Sequence, residues 1–468
     1  MMLKSSHRRA GLAASMLVTA LPVAAAAPQS PAPVMATVDD AEAARLAERV
    51  RAEFLHAWNG YRQYAWGHDA LRPLSRTPRD WYRQSLLMTP VEALDTMILM
   101  GLDEQARQTR ELIATGLSFD KDIDVKHFEI VIRLLGGLLS GYQLSGDERL
   151  LKLAQDLGTR LLPAFASPTG LPYVYVNLRS GKTHGNDSNP AEAGTLLLEY
   201  GTLSKLSGKP VFYERAKRAL VETYRRRSRL DLVGERFDVT TGQWTNTRSH
   251  IGARIDSYYE YLWKCWRLFA DPQCLAMWKR SIAAANRYYP EEVGGALWYG
   301  QVEMSTGRRT GSEYGALEAF FPGLLAYCGD IERARRLHAS SFAMWNLHGI
   351  EPEAYDYRLR RITQPGYALR PEIVESTWYL YRLTGEAQYR AMGRKLFEDF
   401  VRYCRTETAY AALADVTTKA QADDMESFVM AETFKYFYLL FAPPATLDPQ
   451  QVVLSTEAHP LRRTWPAK

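Results

Sequence analysis

Cysteine is scarce in this chain: four in 468 residues, none of them paired as Cys-x-x-Cys. That excludes a zinc ribbon or a thioredoxin-type redox motif. Cys265 and Cys328 fall within apolar helical runs, where a buried free thiol is expected, while an oxidising compartment would allow one bridge. The nine histidines are scattered, with no His-Glu-x-x-His pair, so no transition-metal site is indicated. Basic runs interleaved with aromatics are missing too, and a net charge of +5 is small over this length. A nucleic-acid groove is therefore not expected. Beyond residue 27 no apolar run is long enough to cross a bilayer.

The N-terminus reads as an export signal. Lys4, His7, Arg8 and Arg9 form a positive start, and Ala10 to Ala27 is apolar. Val23-Ala24-Ala25-Ala26-Ala27 offers small-residue cleavage sites. Arg8-Arg9 also fits a twin-arginine signal. Residues 1–27 are thus taken as a signal peptide, 28–40 as linker, 41–462 as one large domain and 463–468 as tail. The protein is expected to be periplasmic or secreted; left uncleaved, the same apolar run would anchor it to a membrane.

A composition of 46% hydrophobic and 24% charged residues is that of an ordinary globular protein with ample core. One turn signature recurs along it: Met100-Gly101-Leu102-Asp103, Leu144-Ser145-Gly146-Asp147, Leu206-Ser207-Gly208-Lys209-Pro210, Phe269-Ala270-Asp271-Pro272, Tyr327-Cys328-Gly329-Asp330 and Leu383-Thr384-Gly385-Glu386. Glycine suits a helix C-terminus that needs positive φ, and Asp or Pro then opens the next helix. From the second turn on, the spacing is about sixty residues, a repeat architecture. Before each turn lies a helix with aromatics and acids, such as Ile251 to Leu268; after it comes a helix with charged faces, such as Val211 to Arg227. Strand and turn signals separate the hairpins, as in Gly170–Asn177 and Ala296–Val302. About fourteen helices in seven pairs predict an all-α fold: an (α/α)7 barrel of seven helical hairpins, with β-hairpins and loops at one end, rather than an open solenoid.

The acids sit on the helices expected to line the cavity. In Arg370-Pro371-Glu372-Ile373-Val374-Glu375, proline opens a helix and the two glutamates share a face of its first turn, at the positive end of the dipole. Glu129 shares a face with Arg133, Glu192 opens the Ala191–Lys205 helix, and Asp256 stands in a tyrosine-rich helix. Glu426 and Glu432 flank the last apolar helix. Each alone fits an ion pair, a dipole partner or a buried acid held by tyrosine. Together they describe a carboxylate-lined cavity, in which like charges push one another's pKa up. Two such acids can cleave a glycosidic bond, and several could hold calcium.

On these residues the chain resembles glycoside hydrolase family 47, the class I α-mannosidases. The likeness runs from Ala57-Trp58-Asn59-Gly60-Tyr61 and Asp69-Ala70-Leu71-Arg72-Pro73-Leu74 through Glu92-Ala93-Leu94-Asp95 and Arg133-Leu134-Leu135-Gly136-Gly137. It continues in Asp256-Ser257-Tyr258-Tyr259-Glu260-Tyr261, Arg370 to Ser376, Met425-Glu426-Ser427-Phe428 and Ser455-Thr456-Glu457-Ala458-His459. The resemblance implies a calcium-dependent inverting enzyme that removes terminal α-1,2-linked mannose from glycans. In it Glu129 would be the general acid, acting through a water, and Glu372 the general base, with Asp256 a further acid/base candidate. Thr456 would bind calcium directly, with Glu375, Glu426 and Glu432 acting through water. Arg133, Glu192, Arg254, Arg370, Phe428 and Glu457 would bind the sugar.

The departures matter as well. Secretory-pathway members carry a histidine and a cysteine before Phe-Leu-Pro-Gly. Here the stretch is Ala319-Phe320-Phe321-Pro322-Gly323, and the cysteine's partner is also missing, so that family disulfide is not expected. This segment is more similar to the branch involved in degrading misfolded glycoproteins. Two further readings stand beside the enzyme: a mannose-recognising module with little turnover, and a barrel enzyme of other linkage specificity. The expected partner is a mannosylated oligosaccharide, with no nucleic acid and no obligate protein partner indicated.

Overall fold

The computed structural model describes residues 36–465. The expected signal peptide, and all but the last few residues of the expected linker, lie outside that range.

Among the described residues fourteen helices of seven residues or more build the fold, and the turn signature explains how the hairpins close. The helices are α1 (Asp40–Tyr64), α2 (Met88–Leu99), α3 (Asp103–Gly116), α4 (127–145), α5 (Glu148–Leu161), α6 (Leu197–Ser207) and α7 (Pro210–Arg225). They continue with α8 (Asp256–Phe269), α9 (Pro272–Tyr288), α10 (Phe321–Tyr327), α11 (Ile331–Asn346), α12 (Glu372–Thr384), α13 (Ala387–Cys404) and α14 (429–441). At the second turn Gly146 takes φ +72°, ending α4, and Asp147 caps α5 by accepting from the Arg149 amide. Asp330 repeats the move for α11 after Gly329. The fourth turn does without glycine: Ala270 adopts φ +55°, and Asp271 caps α9 through the Gln273 and Cys274 amides.

α2, α4, α6, α8, α10, α12 and α14 form the inner ring, each packed on its neighbours. Between α8 and α10 the contact is aromatic, Tyr259 on Phe321 and Trp263 on Tyr327. The outer helix follows its inner partner in sequence in six hairpins. The seventh pair is α14 with α1, which joins the two ends of the domain and closes the ring. The period of apolar residues accounts for the division. α2 is buried continuously from Met88 to Met97, whereas α5 buries one stripe, Leu150, Leu151, Ala154, Leu157 and Leu161. Short antiparallel strands fill the loops in two- and three-stranded sheets. Three of them matter below: β1 (Asp124–Lys126), β2 (Tyr175–Asn177) and β3 (Thr183–His184) pair in that order.

The C-terminal hairpin, β4 (Val452–Leu454) with β5 (Pro460–Arg462), enters the ring beside the C-terminal halves of α8 and α4. Its tip, Ser455–His459, reaches Gly136 and Gly137, where an added Cβ would stand 2.9 Å from His459 or Val91 atoms. Those two glycines let hairpin and helix approach that closely.

Three expectations shift. Residues 251–255 are turns, so α8 begins at Asp256; Arg254 has φ +76°, which no helix accommodates. The expected Ala191–Lys205 helix breaks after the short turn Pro190–Gly194. Cys265 is not a free thiol: it is bridged to Cys274, joining α8 to α9 across the glycine-free turn, with Cα atoms 6.0 Å apart. Cys328 and Cys404 are free.

Candidate active site

Four inner helices, α4, α8, α12 and α14, start around one cavity of about 300 Å³. Glu129 lies in the first turn of α4, Asp256 and Glu372 are the first residues of α8 and α12, and Glu192 sits in the Pro190–Gly194 turn. All four carboxylates therefore stand at positive helix ends. They line the cavity together with Arg133, Arg254, Arg370, Glu375, Phe428, Glu432, Thr456 and Glu457. Glu426 does not reach it. α14 begins after Phe428, so Glu426 sits in the preceding loop and turns to Arg79, at 2.7 Å.

Arginines organise the acids. Arg133 meets three of them: Glu129 at 3.1 Å, Glu92 at 3.2 Å and Glu457 at 2.7 Å. Arg370 forks onto Glu353 and lies 5.7 Å over the Phe428 ring. Arg254 pairs with the buried Glu235, which Arg248 also holds. Lys126 bridges Glu192 at 2.8 Å and Glu129 at 3.5 Å. Phe428 offers an aromatic floor, as a sugar ring's apolar face requires.

Deeper in, the acids outnumber their cations. Burial pushes Asp256 up to about 7, and Glu260 adds to the rise. Glu372 rises to about 8, first through burial, with Arg370 opposing and Glu353 and Asp256 reinforcing. Glu375 and Glu432 also rise, by burial and by facing other carboxylates. One oxygen of Glu372 is buried without a hydrogen-bond partner. Such carboxyls hold protons near neutral pH, a condition typical of catalytic acids and bases.

Thr456 stands at the hairpin tip and is held from beneath. Its amide donates to Tyr261 Oη at 3.3 Å, and Tyr261 donates to Glu199. Lys264 pairs with Glu260 and approaches the Ser455 carbonyl. Among the described residues, no hydrogen bond is donated to the Thr456 hydroxyl or carbonyl, and Thr456 lines the cavity. A hard cation would fit this oxygen set: on ionising, Glu375 and Glu432 would bring negative charge that Arg133 and Lys264, already paired with Glu457 and Glu260, do not balance. No three of these carboxylates converge as a ready-made direct ligand set among the described residues. Contact through water would suit them.

Sequence reasoning missed Glu92, Glu199 and Glu260 as parts of the site: Glu92 and Glu199 meet Arg133 and Tyr261 from distant parts of the chain, while Glu260 pairs one turn on with Lys264, which the sequence did not mark as facing inward. It also missed two π-helical stretches, Val131–Leu135 and Val429–Thr433, which carry Arg133 and Glu432. Left-handed backbone at Leu369 (φ +62°) and Ala458 (φ +55°) brackets Arg370 and the hairpin tip. A β-carbon-bearing residue is strained there, and the Leu369 carbonyl is held by Thr433 at 2.8 Å.

The family model described as glycosyl hydrolase family 47 matches residues 53–463. Alpha-mannosidase I MNS5 of Arabidopsis thaliana is 36% identical over 449 residues, covering 89% of this chain and 77% of that protein. ER degradation-enhancing alpha-mannosidase-like protein 2 of Homo sapiens is 36% identical over 455 residues, covering 89% and 78%. Among solved structures, the alpha-1,2-mannosidase from Trichoderma reesei superposes with a TM-score of 0.83 at 27% identity, covering 90% of this chain and 99% of that one.

Proposed function

We propose that this chain, which belongs to glycosyl hydrolase family 47, is a calcium-dependent, inverting exo-α-1,2-mannosidase acting on mannosylated glycans. One observation carries the reading: Glu129, Asp256 and Glu372 line a single cavity together with Phe428 and Thr456.

A terminal mannose would lie on Phe428, its hydroxyls matched by Arg133, Glu192, Arg254, Arg370 and Glu457. Glu129 delivers a proton, directly or through a water, to the glycosidic oxygen as the C1–O bond breaks. Arg133 and Lys126 hold that carboxyl in place. On the opposite face of the ring, Glu372 takes a proton from the water whose oxygen bonds to C1. Attack from that side inverts the anomeric centre. Asp256, beside Glu372, is the second candidate for moving that proton. Thr456 would hold calcium, with Glu375 and Glu432 acting through water; Glu426 would join them only by leaving Arg79. Bound there, the ion would supply positive charge favouring ionised carboxylates and coordination for sugar hydroxyls. The Cys265–Cys274 bridge supports an oxidising compartment, and hence export.

The test is mannose release from α-1,2-mannobiose, with and without a chelator, by wild type and Glu372→Gln. Calcium-dependent release that collapses in the variant is expected. If wild type binds mannose but releases none, the protein is a recognition module instead.

A further inference from the structure

Between the sugar pocket and the candidate acid stands Lys126, a residue with no mark in the sequence. It ends β1, and its ammonium meets two carboxylates at once: Glu192 Oε1 at 2.8 Å and Glu129 Oε1 at 3.5 Å. Arg133 takes the other oxygen of Glu129, its Nε donating to Oε2 at 3.1 Å. That arginine is already divided among Glu129, Glu92 and Glu457. The direction of Oε1 is therefore left to the lysine.

Both partners of the ammonium are anchored from behind. Lys126 pairs with Tyr175 of β2, which β3 backs, and its amide donates to the Tyr82 hydroxyl at 3.1 Å. The next residue, His127, is buried and donates its amide to the Val174 carbonyl at 2.9 Å. The Glu192 amide donates to Asn189 Oδ1 at 2.9 Å, and Glu192 Oε2 accepts from the Ser188 hydroxyl at 3.1 Å. Burial alone would lower the lysine's pKa, but Glu192 and then Glu129 outweigh it and raise it, so the ammonium stays charged. A lysine is a compact charge on a flexible stem, placed by the carboxylates around it. Glu192 is the nearer of the two. It decides where the ammonium rests, and the ammonium decides how Glu129 is drawn.

We propose that Lys126 is a positioning residue through which Glu192 sets the placement of Glu129, so that the pocket holding the sugar also aligns the acid with the leaving oxygen. The inference rests on the mannosidase reading and deepens it, since Glu192 gains a task beyond contact with the sugar. Proton delivery depends steeply on placement, so a carboxyl held by Arg133 alone should deliver more slowly.

The experiment separates proton delivery from sugar binding. α-1,2-Mannobiose needs its leaving oxygen protonated and α-mannosyl fluoride does not, while both present the same mannosyl group. A contact between Glu192 and that group therefore cancels in the kcat/KM ratio of mannobiose to fluoride, measured with calcium present. Lys126→Met should lower the ratio about tenfold, and Lys126→Arg, which keeps the charge, should stay within about threefold of wild type. Glu192→Gln should lower it about threefold or more, yet change it less than about twofold when added to Lys126→Met, because the two act as one unit. In a Glu129→Gln background Lys126→Met should lower the ratio no further, which sets positioning apart from direct contact of the lysine with the leaving portion. Independent losses in the Lys126/Glu192 cycle, or a Lys126→Met loss that persists without Glu129, overturn the coupling alone. So does an active wild type whose ratio Lys126→Met leaves unchanged. A wild type that hydrolyses neither substrate overturns the mannosidase reading and the coupling with it.

Discussion

Two buried polar clusters flank the same hairpin tip and behave in opposite ways. On one side, Asp95 accepts from Lys435 at 2.8 Å and pairs with His459 at 2.7 Å, all three with fully buried side chains. Burial pushes Asp95 up, but Lys435 and then His459 outweigh it and bring the carboxyl down to about 2. Lys435 also donates to the Ala458 carbonyl, so the cluster pins the tip. On the other side, Asp256 and Glu372 stand at about 7 and 8. Burial is common to both; compensation is not. A buried charge matched within the chain holds the fold together, while a group of acids left unmatched awaits something from outside.

Removing the expected proton donor of the active-site cavity should have the largest effect. Glu129→Gln is expected to lower kcat/KM on α-1,2-mannobiose about 10²- to 10⁴-fold, with the thermal midpoint nearly unchanged. Fluoride leaves without protonation, so α-mannosyl fluoride should largely escape that loss. Equal losses on both substrates would mean Glu129 is not the acid. The matched side should answer in stability instead. Asp95→Asn keeps the shape but leaves Lys435 buried without its counter-charge, and about 3–5 kcal/mol of stability should be lost in denaturant unfolding. A drop below about 1 kcal/mol would contradict the contrast.

The two clusters should also separate by pH. Asp95 is depressed from 3.8, so its contribution is complete above pH 4 and is lost as pH falls through about 2. Asp256 and Glu372 are raised from 3.8 and 4.5, so the folded chain binds more protons than the unfolded one between those values and about 7 and 8. Stability of the cation-free protein should therefore decline as pH rises from about 4 to 8. The double variant Asp256→Asn/Glu372→Gln should make that decline shallower, with Glu375 and Glu432 accounting for part of what remains. Thermal midpoints in chelator across that window test it, and a slope equal to wild type would place the decline elsewhere.

The sequence made the matched and unmatched acids look alike. Position explains what was legible: a carboxylate opening a helix after Pro371, or four residues before Arg133, announces its face and its helix end. The alternation of buried and amphipathic helices was equally plain, because the period and the capping aspartates are local. The pairing of Lys435 with Asp95 spans most of the chain and has no local mark. Nor do the π-helical stretches, since nothing in Val131–Leu135 separates them from ordinary helix. Glu426 shows the limit of reading by helix face, for it lies one turn before its helix starts.

The smallest predicted effect concerns a third region that belongs to neither cluster. The α8–α9 turn is the one in the repeat where Ala270 replaces glycine, and it is also the one crossed by a disulfide, of sequence separation 9. A bridge over so short a loop removes little unfolded-state freedom, about 2–3 kcal/mol. Cys265→Ser/Cys274→Ser should lower the thermal midpoint by a few degrees without changing kcat/KM, because the bridge sits at the end of α8 opposite Asp256. The result would sharpen the comparison: covalent and ionic supports of the ring would both be separable from the acids it surrounds. A fall in kcat/KM in step with stability would instead mean that the far end of α8 sets the position of its first residue.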